Sequence, residues 1–207
     1  MPYIGTQPND VKKNIGVYTP SEILQLEKDG NWGGSLELIE EQVITSTTSA
    51  VDFTDLKNYD VHFLTLNGMQ PTSDNDFGVI QFSNDGGSTF LTSGYQYAIQ
   101  NGTSSGTFTE NKSITAGAIF IASSIGTSSN EIGNSYVYLY NLLNSSKYSF
   151  LTTQTTNFNS SATFEMFFGG GAKPTAETHN AIRVKCFIGV SLEKATIKLY
   201  GVKQWVT

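Results

Sequence analysis

From Leu36 onward the chain is a succession of short segments in which apolar and polar residues alternate, each bounded by Gly, Asn, Asp or Ser. Alternation with period two puts every second side chain on one face of an extended strand, so each segment can bury one face and wet the other. Tyr59-Asp60-Val61-His62-Phe63-Leu64-Thr65-Leu66 and Phe77-Gly78-Val79-Ile80-Gln81-Phe82 are clear strands, rich in β-branched and aromatic residues. Tyr95-Gln96-Tyr97-Ala98-Ile99 alternates strictly, and Ser135-Tyr136-Val137-Tyr138-Leu139-Tyr140 sets three Tyr on one face against Val137 and Leu139 on the other. Leu36–Ile44, Lys147–Thr153, Ala162–Phe168, Ala181–Val190 and Ala195–Tyr200 read the same way, and no useful helix is expected among them. About nine to eleven strands joined by Gly, Asn and Ser turns predict an all-β fold, an antiparallel β-sandwich that is jelly-roll-like rather than a small barrel.

What precedes this region follows other rules. Residues 1–18 hold Pro2, Gly5, Pro8 and Gly16 without a sustained period and read as an extended N-terminal arm. Thr19-Pro20-Ser21-Glu22 then has the form of a helix start. The Thr19 hydroxyl can accept a first-turn N–H, Pro20 loses nothing at the first helical position, and Glu22 completes a capping box. A short helix over about residues 20–28 is predicted, closed by Gly30 as the left-handed residue and followed by a hinge at Asn31-Trp32-Gly33-Gly34. The predicted organisation is an anchoring segment, residues 1–35, and a β-sandwich domain, residues 36–207.

Composition excludes several function classes. Ten Tyr and thirteen Phe in 207 residues argue against disorder. A formal charge of −6 with only 12 Lys and Arg makes a poor phosphate-binding surface, so no nucleic-acid partner is expected. No apolar run approaches the length of about 18 residues needed to span a bilayer, so no membrane insertion is expected. The opening Met1-Pro2-Tyr3-Ile4-Gly5 lacks a basic or apolar leader pattern, and a Sec signal peptide is not expected. The single Cys186 allows no intrachain disulfide and reads as a small core residue.

The segment with the clearest local chemistry is Ser83-Asn84-Asp85-Gly86-Gly87-Ser88-Thr89-Phe90, an Asp-box pattern. The Asp85 carboxylate can accept turn N–H groups, Gly87 allows positive φ, and Ser83, Thr89 and Phe90 complete the motif, with the aromatic expected to anchor the strand that follows. It is read as a folding device rather than a glycosidase mark. Asp74, Asn75, Asp76 and Asp85 lack the spacing of a calcium loop. The remaining carboxylates are scattered and mark no catalytic pair. Glu165, inside Phe164-Glu165-Met166-Phe167-Phe168, shares a strand face with Phe167 and is either solvent-facing or buried and paired. His62 and His179 stand alone, too few for a zinc site, and Gly169-Gly170-Gly171 reads as a loop. No catalytic residue, cofactor or metal is expected. The stripes Tyr95/Tyr97 and Tyr136/Tyr138/Tyr140 fit a core, a subunit interface or, less well, a sugar-stacking surface.

Ser35 to Gln42, Ala50 to Thr54, Tyr59 to His62, the Asp-box segment, Asn180-Ala181-Ile182-Arg183 and the closing Ile197-Lys198-Leu199-Tyr200-Gly201-Val202-Lys203 together resemble virion structural proteins of tailed bacteriophages, marine ones in particular. Tyr3-Ile4-Gly5 with Pro8 resembles the start of tail-fibre proteins. The resemblance spans nearly the whole chain. It implies a non-enzymatic structural protein on the virion surface, assembled in the host cytoplasm. The expected role is a tail appendage of the fibre or receptor-binding type anchored by its arm. The alternative is a capsid decoration protein of the cement or head-fibre type, and a glycan depolymerase is a third and weaker reading. The implied partners are other virion proteins of tail or capsid, copies of the same chain (by analogy a trimer) and a host-surface glycan.

Overall fold

The computed structural model describes residues 19–28 and 35–203. The chain divides into two compact units, Met1–Ser35 and Leu36–Thr207. The arm expected over residues 1–18, the Gly30 stop and the hinge at residues 31–34 lie outside the described residues.

In the first unit, α1 spans Pro20–Lys28. The Thr19 backbone N–H donates to Glu22 Oε2 at 2.7 Å, and the Glu22 N–H donates to Thr19 Oγ1 at 3.3 Å. These reciprocal bonds hold the Glu22 carboxyl below its ordinary range, the Thr19 N–H contributing most.

The second unit has twelve strands: β1 (Leu36–Ile44), β2 (Val51–Phe53), β3 (Val61–Pro71), β4 (Gly78–Ser83), β5 (Tyr95–Thr103), β6 (Phe108–Ala116), β7 (Ile119–Phe120), β8 (Gly133–Tyr140), β9 (Ser149–Phe158), β10 (Phe164–Lys173), β11 (Ala181–Cys186) and β12 (Leu192–Val202). They form an antiparallel sandwich of an eight-stranded sheet, β1-β12-β3-β8-β9-β10-β5-β6, and a four-stranded sheet, β2-β11-β4-β7. The pairs β1/β12 and β3/β8 fall in the large sheet, while β2/β11 and β4/β7 fall in the small one. That nesting is a jelly-roll wrap, in which one long folded-over hairpin drops its successive strand pairs alternately into two sheets. Two extra hairpins, β5–β6 and β9–β10, are inserted into the wrap. They pair with each other through β10 and β5 and widen the large sheet beyond β8.

The core forms where the apolar faces meet. Leu64, Val137, Leu151 and Leu199 from the large sheet pack with Phe53, Ile80, Phe82 and Ile182 from the small one. A second cluster, Val79, Ile99, Ala118, Phe120 and Phe167, fills the space beneath the inserted hairpins. β4 belongs to both clusters, which is why it is buried along its whole length.

Three short or polar strands, β2, β6 and β7, are absent from the sequence reading, and one assignment is corrected. Gly169-Gly170-Gly171 is not a loop but the middle of β10. The glycines are needed for close packing rather than for a turn. A Cβ on Gly170 would stand 2.6 Å from the Leu151 carbonyl oxygen, and one on Gly171 would stand 2.7 Å from both Gln96 O and Ile119 Cγ2.

Candidate functional site

The Asp box sits at the end of β4 and closes on itself. Ser83 Oγ donates to Asp85 Oδ1 at 2.7 Å and accepts the Gly87 N–H at 2.9 Å. Asp85 also accepts the Thr89 N–H at 2.9 Å and the Thr89 hydroxyl at 2.6 Å. The Thr89 hydroxyl, then its N–H, then the Ser83 hydroxyl hold the Asp85 carboxyl down at about 2. Gly86 and Gly87 take φ of 75° and 89°, the left-handed region that glycine supplies without strain. Phe90 does not anchor a following strand, because the next strand, β5, lies in the other sheet. Its ring instead faces the Arg183 guanidinium of β11 at 4.0 Å, which Asp52 of β2 holds by two bonds of 2.7 Å. The motif caps the end of β4 and packs onto β11, its neighbour in the four-stranded sheet.

Beside it lies an arrangement that sequence reading did not foresee. Ser149 Oγ is 2.7 Å from His179 Nδ1, and His179 Nε2 is 3.3 Å from Glu177 Oε1, though not aligned for a hydrogen bond. Hydroxyl, imidazole and carboxylate in line are the parts of a hydrolase triad. Here Ser149 and His179 are both 0% exposed, so no substrate can reach the hydroxyl. Burial pushes the His179 pKa below its ordinary value, against the upward pull of Glu177. Glu177 also accepts from Asn84, and Asn180 Oδ1 accepts the Gly86 N–H at 2.8 Å. The 177–180 loop is therefore a clasp on the Asp box. His62 is a core residue that donates Nε2–H to the Leu56 carbonyl.

The acidic loop residues are likewise occupied by backbone. Asp74 Oδ1 accepts the Thr127 N–H, and Asp76 Oδ1 accepts the N–H groups of Phe77 and Ile188. Among the described residues, no group of three or more His, Cys, Asp or Glu is placed to hold a metal ion, and no helix is long and apolar enough to cross a membrane.

The two Tyr stripes part company. Tyr95 is fully buried, its hydroxyl accepting the Phe82 N–H at 2.7 Å. Tyr136, Tyr138 and Tyr140 point the other way, out of the sandwich, while Val137 and Leu139 enter the core. Register aligns them with aromatics on neighbouring strands. One cross-strand row runs Leu38, Tyr200, Phe63, Tyr138, Thr152, Gly170, Ala98, Lys112. The next runs Glu41, Lys198, Thr65, Tyr136, Gln154, Phe168, Gln100, Glu110. Phe63 lies 4.7 Å from Tyr138 and 6.1 Å from Tyr200, centroid to centroid. Phe150, Phe158, Phe164 and Phe168 extend the aromatic surface across β9 and β10, each more than a third exposed.

Charge on this face is confined to its margins. The outward positions of β3, β8, β9, β10 and β5 carry no charged residue. At one margin Lys198 pairs with Glu41 at 3.2 Å, and at the other Lys112 pairs with Glu110. An uncharged centre rich in Tyr and Phe inside a polar, charge-paired rim is the anatomy of a protein–protein interface. With strands about 4.8 Å apart, the face measures roughly 35 by 25 Å, on the order of 900 Å², close to the ~800 Å² per partner of a stable complex. A groove of about 350 Å³ beside Tyr136 is lined by Phe63, Thr65, Asn67, Asn134, Gln154 and Thr156 among others.

No protein-family model, curated protein or solved structure matches the chain.

Proposed function

We propose that this chain is a non-enzymatic structural subunit of a tailed-phage virion, a tail appendage that assembles with copies of itself through the outer face of the eight-stranded sheet. The observation that carries the assembly reading is the charge-free aromatic face. A chain of net charge −6 repels its own copies. The outer face is where two copies can meet without opposing like charges, and large contiguous apolar patches mark interaction sites. The link to a virion rests on the sequence resemblance. The jelly roll is compatible with it, since viral capsid and lectin domains use that architecture, but a fold does not assign a function. The sealed Ser149 hydroxyl supports the non-enzymatic part of the reading. Residues 1–35 are the proposed anchoring segment.

The groove beside Tyr136 favours a second reading, capture of a neutral host glycan. Its rings can stack on a sugar face, and the amides of Asn67, Asn134 and Gln154 can bond hydroxyls. Quantitative mass spectrometry of purified particles, with the major capsid protein as reference, tests the primary reading. A few to a few tens of copies per particle are expected for a tail appendage. Hundreds of copies would make the chain a capsid decoration protein, and absence from particles would overturn both.

A further inference from the structure

β5, β10 and β9 bring three side-chain oxygens to the inward face beneath the 121–126 loop. Glu165 stands directly opposite Asn157, and Asn101 stands opposite Phe167, two residues along the same strand. Glu165 is 5% exposed and Asn157 is 2% exposed. Glu165 Oε2, Asn157 Oδ1 and Asn101 Oδ1 are all sealed from solvent, and none has a hydrogen-bond donor among the described residues.

Chemistry fixes which atoms face this spot. Asn157 Nδ2 donates to the Ser124 carbonyl at 3.1 Å; a carbonyl can only accept, so the oxygen of Asn157 must point the other way. Asn159 accepts the N–H groups of Ser161 and Thr163 through Oδ1, which commits its Nδ2 to Glu165 Oε1 at 2.8 Å and leaves Oε2 alone. Asn101 Nδ2 meets the Ser123 hydroxyl at 3.2 Å, a partner that can donate or accept, so that amide can present either end. Buried acceptors that share one face of the sheet with no donor among them call for a proton on the carboxyl or a cation beside it. A water molecule would satisfy the hydrogen bonds but would leave the carboxylate charge uncompensated, and Glu165 forms no ion pair among the described residues.

We propose that Glu165, Asn157 and Asn101, roofed by Ser123 and Ser124, form a calcium-type cation site that pins the 121–126 loop onto the inserted hairpins. Carboxylate, amide and hydroxyl oxygens are the ligands such a hard cation takes, and a single carboxylate sets a weak affinity, about 0.1–1 mM. The test is thermal unfolding of the full chain in EDTA, in about 10 mM CaCl2, and in MgCl2 at equal ionic strength. For wild type, CaCl2 is expected to raise Tm by roughly 3–10 °C over EDTA and by more than MgCl2 does. Glu165→Gln replaces the charge by an amide that can donate to Asn157, so it is expected to hold its Tm in EDTA and lose the calcium response. Asn157→Asp, which adds a second carboxylate, is expected to melt lower in EDTA and to be rescued by CaCl2. The proposal is overturned by a wild-type Tm indifferent to calcium, by equal shifts in CaCl2 and MgCl2, by an undiminished response in Glu165→Gln, or by an Asn157→Asp chain that calcium does not rescue.

Discussion

The two faces of the eight-stranded sheet are made by the same strands, residue by alternate residue. The inner row Leu199, Leu64, Val137, Thr153 and the outer row Tyr200, Phe63, Tyr138, Thr152 lie one position apart. Inward, Leu199, Leu64 and Val137 are aliphatic, fully buried and matched to a second sheet. Outward, they are aromatic, partly exposed and flanked by Thr and Gln, which can bond either water or another chain. The inner face has its partner within the fold, while the outer face is suited to one outside it. Aromatic rings serve this second role well, because they lose little rotamer freedom when ordered and bury a large area each.

The contrast can be broken most forcefully from the inside. Leu64→Ala empties a fully buried site in the main cluster and should cost about 2–5 kcal/mol in urea unfolding. One position away, Phe63→Ser with Tyr138→Ser should leave the unfolding midpoint of the isolated chain nearly unchanged. The same pair should weaken self-association at least ~30-fold, as expected when a hot spot worth about 2 kcal/mol is lost. A midpoint that falls as far as that of Leu64→Ala would mean the outer aromatics hold the fold together and are not an assembly surface.

Acid separates the two sheet ends from the faces by a smaller effect. His62 and His179 have folded pKa values depressed by burial, below the ordinary 6.5. Asp85 is depressed to about 2 by its turn. Depressed pKa values mean the unfolded chain binds more protons, so stability falls with pH. The loss should begin below about pH 6.5 as the histidines are called on to charge, and deepen below about pH 4 as Asp85 is called on to take a proton and give up its charge. In Asp85→Asn the second loss should shrink, measured as the pH dependence of the urea midpoint, with Asp55 beside Lys57 left to contribute. A chain whose stability is flat from pH 7 to pH 3 would contradict this. Smallest of all, Thr19→Ala should lower helical circular dichroism from α1 without moving the melting of the β domain. A concerted drop in both would show that the two units do not unfold independently.

Much of this was legible in the sequence, and what was missed has physical causes. Alternation locates β3, β8 and β12, because a half-buried strand must alternate, while β4 stands out as a short apolar run, as a strand buried on both faces does. β6 escaped because Phe108-Thr109-Glu110-Asn111-Lys112-Ser113-Ile114-Thr115-Ala116 is an edge strand, mostly exposed, whose polar residues serve solubility rather than a core. Gly169 to Gly171 read as a loop because glycine usually punctuates strands, and only the register with β9 and β5 shows the crowding that demands them. The Tyr136 stripe was visible as a stripe, but its direction depends on which sheet β8 joins. The Ser149–His179–Glu177 line and the Glu165–Asn157 pair are products of folding across loops, with no local pattern to announce them.

The most direct test of the outer-face account is sedimentation velocity of the full wild-type chain from about 1 to 100 µM, alongside the Phe63→Ser, Tyr138→Ser variant. The account predicts a defined oligomer for wild type and a folded monomer for the variant. A wild-type chain that stays monomeric across the whole range, or a variant that assembles as tightly as wild type, would contradict it.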